Sequence, residues 1–434
     1  NETVDAAEAD EHRIVVMGWM QGGAEVRPGT KRMSENNLAN MKTLTTTANF
    51  ERLNTRLTLS GTEASSVIMQ QVKGIPSSIR KSLNTPYFDS QLPNSTQKMT
   101  LAAYVFVSCD SCSEWMQGMV TESTLRNFVT QVEGNYPANP FHNFSHALDV
   151  LHGLSLNLRL IEANSFFTEA CQFWLLVAAL GHDLGHVGVT NQFLVETSHV
   201  LAVTYNDRSP LENMHCSQLF KVAADPEANI FSELTREAYK EMRKGIISAI
   251  LHTDITKHNE LVKELMLLYQ MHSQAFESTE ASEQVREVLG EHVQMIANAM
   301  LHCSDIGNQF KPWELAHKLA FLVLDEYFAQ GDKEKELGIP VQILNDREKV
   351  TIATSQIGFS EFMLAPMIEA MVLLFPQLDE LAMNLGKNIQ KWQDTWEKET
   401  SPTQDAANKI QVRVNKVVAK CEALMRSEDD MFGD

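Results

Sequence analysis

Two histidines stand four residues apart in Phe141-His142-Asn143-Phe144-Ser145-His146, and a second pair brackets an aspartate in Gly181-His182-Asp183-Leu184-Gly185-His186. On a helix, a four-residue spacing puts both side chains on one side. Two further stretches carry related chemistry: Glu212-Asn213-Met214-His215, and Ser304-Asp305 after an apolar-rich run over 285–303. Imidazole with carboxylate suits zinc and other divalent transition ions, and carboxylate with water suits magnesium or manganese. One carboxylate shared between two such ions can hold them close enough to clamp the attacking and leaving oxygens of a phosphoryl hydrolysis. Taken singly, each piece has an ordinary reading: a buried histidine is more often a satisfied core residue than a ligand, and a His-Asp dipeptide is common. Four such pieces together in a chain with 14 histidines favour a metal site.

The elements that must position these residues read as helices. Residues 168–180 are apolar on nearly all sides, as in a core helix. His182 and Asp183 fall at its end, where burying titratable groups without partners is costly. Helical spacing also fits 236–250, 285–300, 314–329 and 361–374, with turn signals at Asn206-Asp207 before Pro210 and at Gly331-Asp332. Alternation of period two is scarce; 104–108 is the best case, and it is short. The pattern predicts an all-α fold, with a multi-helix catalytic domain over 86–400. Residues 1–85 are rich in Thr, Ser, Asn and Gly and read as a flexible or partly ordered leader, with a short strand or helix at 14–20. Residues 401–434 read as a C-terminal amphipathic helix and acidic tail. Its seam of Ile410, Val414, Val417, Cys421 and Leu424 alternates spacings of four and three. So short a coil is marginal alone, and the seam is expected to pack back on the domain. Pairing with a second copy as a homodimer is the alternative.

Composition narrows the partners. The chain has 434 residues, 44% hydrophobic and 21% charged, enough for a large core. Its formal charge of −20 repels polyanions, which argues against a nucleic-acid polymer as partner. A small anionic substrate stays open, because bound cations would dominate the field inside a pocket. Six cysteines, several inside apolar helical runs, suggest buried thiols in a reducing compartment rather than a disulfide scaffold. Cys109-x-x-Cys112 lacks the second pair that a zinc site would need. No apolar run approaches the roughly 20 residues that span a bilayer, so no membrane segment is expected. The longest, 173–180, reads as a buried helix. Because the first residue is Asn1 rather than Met, the chain is expected to be a piece of a longer protein, with any targeting segment outside it.

An ordered series of motifs resembles the catalytic domain of class I 3′,5′-cyclic nucleotide phosphodiesterases over about 88–396. The series is His142-Asn143-x-x-His146, His182-Asp183-x-x-His186, Tyr205-Asn206-Asp207-x-Ser209, Leu211-Glu212-Asn213-x-His215, Thr253-Asp254, Asp305-Ile306, Gln330-Gly331-Asp332 and Gln356-Ile357-Gly358-Phe359. The resemblance implies an HD-type helical domain that opens a cyclic nucleotide at its 3′ phosphoester to the 5′-monophosphate by a two-metal mechanism. It implies that His146, His182, Asp183 and Asp305 bind a tight metal, usually zinc. Asp183 would also reach a second ion, magnesium or manganese, whose water shell His186, Glu212, His215 and Thr253 would hold. His142 would be the general acid, held in place by Glu212. Gln356 would hydrogen-bond the purine edge and Phe359 stack on the ring, with Ile306, Asn308, Val323, Tyr327 and Leu344 around them. For Ile306, Leu344 and Phe359, ordinary core packing is the other reading.

An amide has a donor end and an acceptor end, so the orientation of Gln356 decides between guanine and adenine unless it is free to flip. Within the family the chain is most similar to the cGMP-specific type 9 branch, through Asn139-Pro140-Phe141-His142-Asn143-Phe144, Ser209-Pro210-Leu211-Glu212-Asn213, Glu326-Tyr327-Phe328 and Asp346-Arg347. It departs from that branch at Gln309, where the branch has glutamate, and at Val323, where it has leucine. The resemblance favours cGMP over cAMP and leaves dual use open. Two other readings compete. Another HD-type phosphohydrolase would share His182-Asp183 but would not require His142 or the Gln356/Phe359 clamp. A catalytically dead nucleotide sensor would be expected to have lost a ligand or His142. The domain is expected to be cytoplasmic, facing the cytosol where cyclic nucleotides signal.

Overall fold

Apolar side chains at three- and four-residue spacing recur through the described residues, which fold mainly as helices. The computed structural model describes residues 66–108, 113–278 and 282–425, and no strand occurs among them, in accord with the all-α expectation. Ten helices frame the site and are labelled in chain order: α1 Ser95–Ser108, α2 Phe144–Leu160, α3 Glu169–Gly181, α4 Pro210–Val222, α5 Arg236–Leu251, α6 Val293–Asp305, α7 Trp313–Leu337, α8 Ile352–Phe359, α9 Asp379–Thr400 and α10 Gln404–Leu424.

At the centre is α3, buried on every side from Ala170 to Gly181 and packed against α2, α5 and α6. Its start is set by Thr168, whose hydroxyl accepts from the Cys171 amide at 3.1 Å. Thr235 caps α5 in the same way. Residues 104–108, the best alternating stretch, lie inside α1. There Leu101, Ala102, Ala103, Val105 and Phe106 are buried, with Leu101 and Ala102 one turn before Val105 and Phe106, a helical repeat that five residues are too few to reveal. The expected helix over 285–300 is broken at His292 into Ser282–Glu291 and α6. Past α8 the chain makes a π turn over Ser360–Leu364 into the helix Ala365–Leu374. Pro366 has no N–H to continue the regular ladder, which accounts for the widened turn.

One expectation about the ends changes and one holds. Ile68 and Val72 of the helix Val67–Lys73 are buried in the main core, and His152 donates from Nε2 to the Leu83 carbonyl at 2.8 Å, so the packed unit starts well before residue 86. Residues 14–20 and the pair Cys109 and Cys112 lie outside the described residues. At the other end α10 packs back along α9, burying Ile410, Val414, Val417 and Cys421, and Arg413 pairs with Glu361 at 2.7 Å. The expectation that no apolar run approaches membrane-spanning length is overturned by the continuous helical run Ile352–Leu374, which has 23 residues and a most apolar stretch of mean hydropathy 1.6. Its scattered polar residues hide the run from a search for unbroken apolar stretches, and 72% of its most apolar stretch is buried inside the fold.

Candidate active site

Three chain segments meet at one point. Asn143 starts α2 by accepting from the Ser145 amide at 2.8 Å, which leaves His142 just before the helix and His146 in its first turn. His182 and Asp183 follow the end of α3, and Asp305 is the last residue of α6. His146 Nε2 and His182 Nε2 lie 3.0 and 3.2 Å from Asp305 Oδ1, and 3.3 Å from each other. Asp183 Oδ2 is 3.5 Å from His146 Nε2 and 3.3 Å from His182 Nε2.

This donor set fits a divalent cation. His182 Nδ1 is 2.8 Å from the Ala179 carbonyl, which can only accept, so the ring proton sits there. With that proton on Nδ1, a ring in its neutral form turns the Nε2 lone pair towards two carboxylates. His215 does the same: its Nδ1 donates to the Leu184 carbonyl at 2.9 Å, and Nε2 faces Asp183 Oδ1 at 3.6 Å. Lone pairs facing carboxylate oxygens call for a positive charge between them. Asp183 Oδ2 is also buried without a hydrogen-bond partner, a cost that a coordinated cation would remove. Tyr136 orients the Asp183 segment, donating to the Leu180 carbonyl at 3.0 Å and accepting from the Asp183 amide at 3.3 Å.

His142 is not held by Glu212. Its Nδ1 meets Glu326 Oε1 at 2.6 Å, while Glu326 Oε2 accepts from the amides of Phe141 and His142 at 3.1 and 3.2 Å. Burial alone would lower the His142 pKa, but the facing Glu326 carboxylate outweighs it and raises it to about 9. His186 stacks on His142 with ring centres 4.1 Å apart and 18° between planes. Burial, and then the cationic His142, hold His186 well below the ordinary imidazole range. Lone pairs of two parallel rings point along their own planes, so His142 and His186 cannot converge on one cation; the arrangement holds a proton. Glu212 is instead gripped by Asn191, whose Nδ2 donates to its two oxygens at 3.1 and 2.9 Å. Burial and the nearby Asp254 push Glu212 up to about 8.

The far end of the cavity is built by α8, α7 and the turn Gly307–Phe310. Trp392 on α9 donates from Nε1 to Gln309 Oε1 at 2.8 Å, and Gln309 Nε2 donates to Gln356 Oε1 at 2.8 Å. An indole N–H can only donate, so this chain sets both amides. His142, Asp183, His186, Glu212, His215, Thr253, Asp305, Ile306, Asn308, Val323, Tyr327, Leu344, Gln356 and Phe359 all line the one cavity. His146 and His182 lie behind the wall, 2% and 0% exposed. Sequence reasoning missed Glu326, Asn191 and Tyr136. Only Glu326 left a trace: with Gln330 and Glu334 it forms a polar stripe at spacing four on α7, a pattern that also describes a solvated face.

Helices that bring two imidazoles and two carboxylates together at the wall of one cavity define the class: a helical catalytic domain with a site for divalent cations. Residues 141–385 match the 3′5′-cyclic nucleotide phosphodiesterase family. The chain is 32% identical over 339 residues to the human high affinity cGMP-specific 3′,5′-cyclic phosphodiesterase 9A, covering 78% of this chain and 54% of that protein. It is 33% identical over 277 residues to a Drosophila melanogaster 3′,5′-cyclic-AMP phosphodiesterase, isoform F, covering 63% of this chain and 41% of that one. The crystal structure of the phosphodiesterase domain of the Salpingoeca rosetta rhodopsin phosphodiesterase superposes with a TM-score of 0.67 at 27% identity, covering 79% of this chain and 98% of that one. The chain thus spans about half the length of the curated relatives it matches. It belongs to the 3′,5′-cyclic nucleotide phosphodiesterase family.

Proposed function

We propose that the chain hydrolyses the 3′ phosphoester of a 3′,5′-cyclic nucleotide to the 5′-monophosphate, with cGMP preferred over cAMP. One observation carries the reading: an imidazole clamped by Glu326 shares a cavity with a His/Asp donor set at one end and an amide–aromatic pair at the other. His146, His182, Asp183 and Asp305 would hold one cation, zinc by its donor set. Asp183, with His186, His215, Glu212 and Thr253 around it, would hold a second, magnesium or manganese. Cations bound there would supply Lewis acidity and a water acidic enough to attack phosphorus. His142 delivers its proton to the departing 3′ oxygen, and Glu326 keeps the ring protonated and aimed. Phe359 and Gln356 receive the purine, so the phosphate is delivered to the opposite end of the cavity.

The relay from Trp392 through Gln309 supports selectivity for one purine. Gln356 cannot flip without giving up its bond from Gln309, so it offers the base a single donor–acceptor order. Guanine and adenine demand opposite orders. The direction towards guanine rests on similarity to the cGMP-specific relatives. The four cysteines among the described residues, Cys171, Cys216, Cys303 and Cys421, are free buried thiols, in keeping with a reducing, cytosol-facing compartment. The test is kcat/KM measured side by side for cGMP and cAMP with magnesium and zinc present. Hydrolysis of neither nucleotide would refute the activity, and a preference for cAMP would refute the selectivity.

A further inference from the structure

One buried carboxylate has no place in this chemistry. Glu334 on α7 is 1% exposed. Its Oε1 accepts from Gln330 Nε2 at 2.7 Å and from Asn345 Nδ2 at 2.9 Å, and its Oε2 accepts from the Gln342 amide at 3.0 Å. Three neutral donors therefore satisfy one buried charge, and two of them belong to the 342–345 segment that walls the cavity. Gln330 carries the connection to the opposite wall. Its Oε1 accepts from the Thr190 amide at 2.8 Å, and Thr190 begins the helix whose first residue, Asn191, grips Glu212. The wall also lies against α7 itself: a Cβ at Gly331 would overlap the Asn345 carbonyl, so only glycine allows this approach.

We infer that Glu334 is a positioning residue for nucleotide binding, a clamp that sets the distance between the 342–345 wall and the Thr190 wall of the cavity. This rests on the cyclic nucleotide reading. The clamp touches neither the cation donors nor His142, so its loss acts on substrate capture and spares the chemical step. The exposed pair of Arg347 with Asp332 at 2.7 Å is solvent-screened, and Lys335 with Asp346 at 3.0 Å ties the loop beyond the 342–345 wall. The physical contrast is sharp for Glu334→Gln. An amide has one oxygen where the carboxylate has two, so either the Gln342 amide or the pair of side-chain amides must face an N–H instead of an acceptor.

The experiment compares wild type, Glu334→Gln, Asn345→Ala and the surface control Asp332→Asn. Steady-state kinetics on cGMP are read together with amide hydrogen exchange. In Glu334→Gln, KM should rise on the order of tenfold, the effect of losing a hydrogen bond to a buried charge. Its kcat and bound metal should match wild type, and exchange should quicken at 340–346 and not in α2 or α3. Asn345→Ala should move KM in the same direction by less, and Asp332→Asn should leave it unchanged. An unchanged KM in Glu334→Gln, exchange that quickens across the whole chain, or a fall in kcat with metal loss would each overturn the clamp. A wild type inert on both cGMP and cAMP would refute the functional reading instead, and the exchange pattern would then decide the clamp by itself.

Discussion

Glu326 holds His142 at both its side chain and its backbone: one carboxylate oxygen meets Nδ1 at 2.6 Å, and the other takes the His142 amide at 3.2 Å. A charge-assisted contact of this kind fixes the ring and keeps it protonated, the state a general acid needs.

Glu326→Gln keeps the shape and removes the charge. His142 stays protonated up to about pH 9 because of Glu326, so activity that needs the acid form is lost as pH rises through that value. In the variant the alkaline limb of kcat should move to lower pH, and turnover at pH 7.5 should drop about 10²-fold. Cations in the neighbouring cluster lower the limb in both proteins without changing the sign of the difference. A kcat profile from pH 6 to 10 reads this, and coincident limbs would refute the assignment.

Chelation should abolish hydrolysis, and zinc with magnesium or manganese should restore it. Asp183→Ala and Asp305→Ala should lose bound metal, measured by atomic emission, together with several orders of magnitude in turnover. His142→Ala should keep its metal and lose about 10²–10⁴-fold in kcat, the usual range for general acid catalysis. Equal metal loss in His142→Ala would show that His142 is a ligand.

Trp392→Phe removes the indole donor that sets Gln309. With the relay free to turn, Gln356 can present either order to the base, and the ratio of kcat/KM for cGMP over cAMP should fall by about tenfold or more. An unchanged ratio would show that the amide is set elsewhere.

Stability should fall with acid. Burial lowers His152 to about 3, His258 to about 3 and His302 to about 4, all below the unfolded value near 6.5. The unfolded chain therefore takes up protons that the fold refuses. Stability from these groups is full above pH 6.5 and declines as pH drops from there, by about 1.4 kcal/mol per pH unit for each group. Denaturation midpoints from pH 7.5 to 5 test this, and His152→Gln should flatten the slope.

The separate pieces around the cation-binding set were legible in the chain because each is local: histidines at the start of one helix, a His-Asp step at the end of an apolar helix, and an aspartate ending another; their meeting, across up to 159 residues, was not. Helix period and Thr caps marked the scaffold for the same reason. The break at His292 and the π turn before Pro366 were not visible, because each preserves helical spacing on either side. The partner of His142 was misread as Glu212.

The amino-acid order alone determined which residues could do chemistry and that helices would present them, since both follow from interactions within a few residues. Tertiary packing alone decided which carboxylate aims the acid and which amide order meets the base. Glu326 lies 184 residues from His142, and Trp392 lies 83 from Gln309. At such separations the chain's period carries no information on contact; only burial of α7 and α9 against the site creates the low-dielectric, donor-matched surroundings in which a carboxylate raises a pKa and an indole N–H sets an amide.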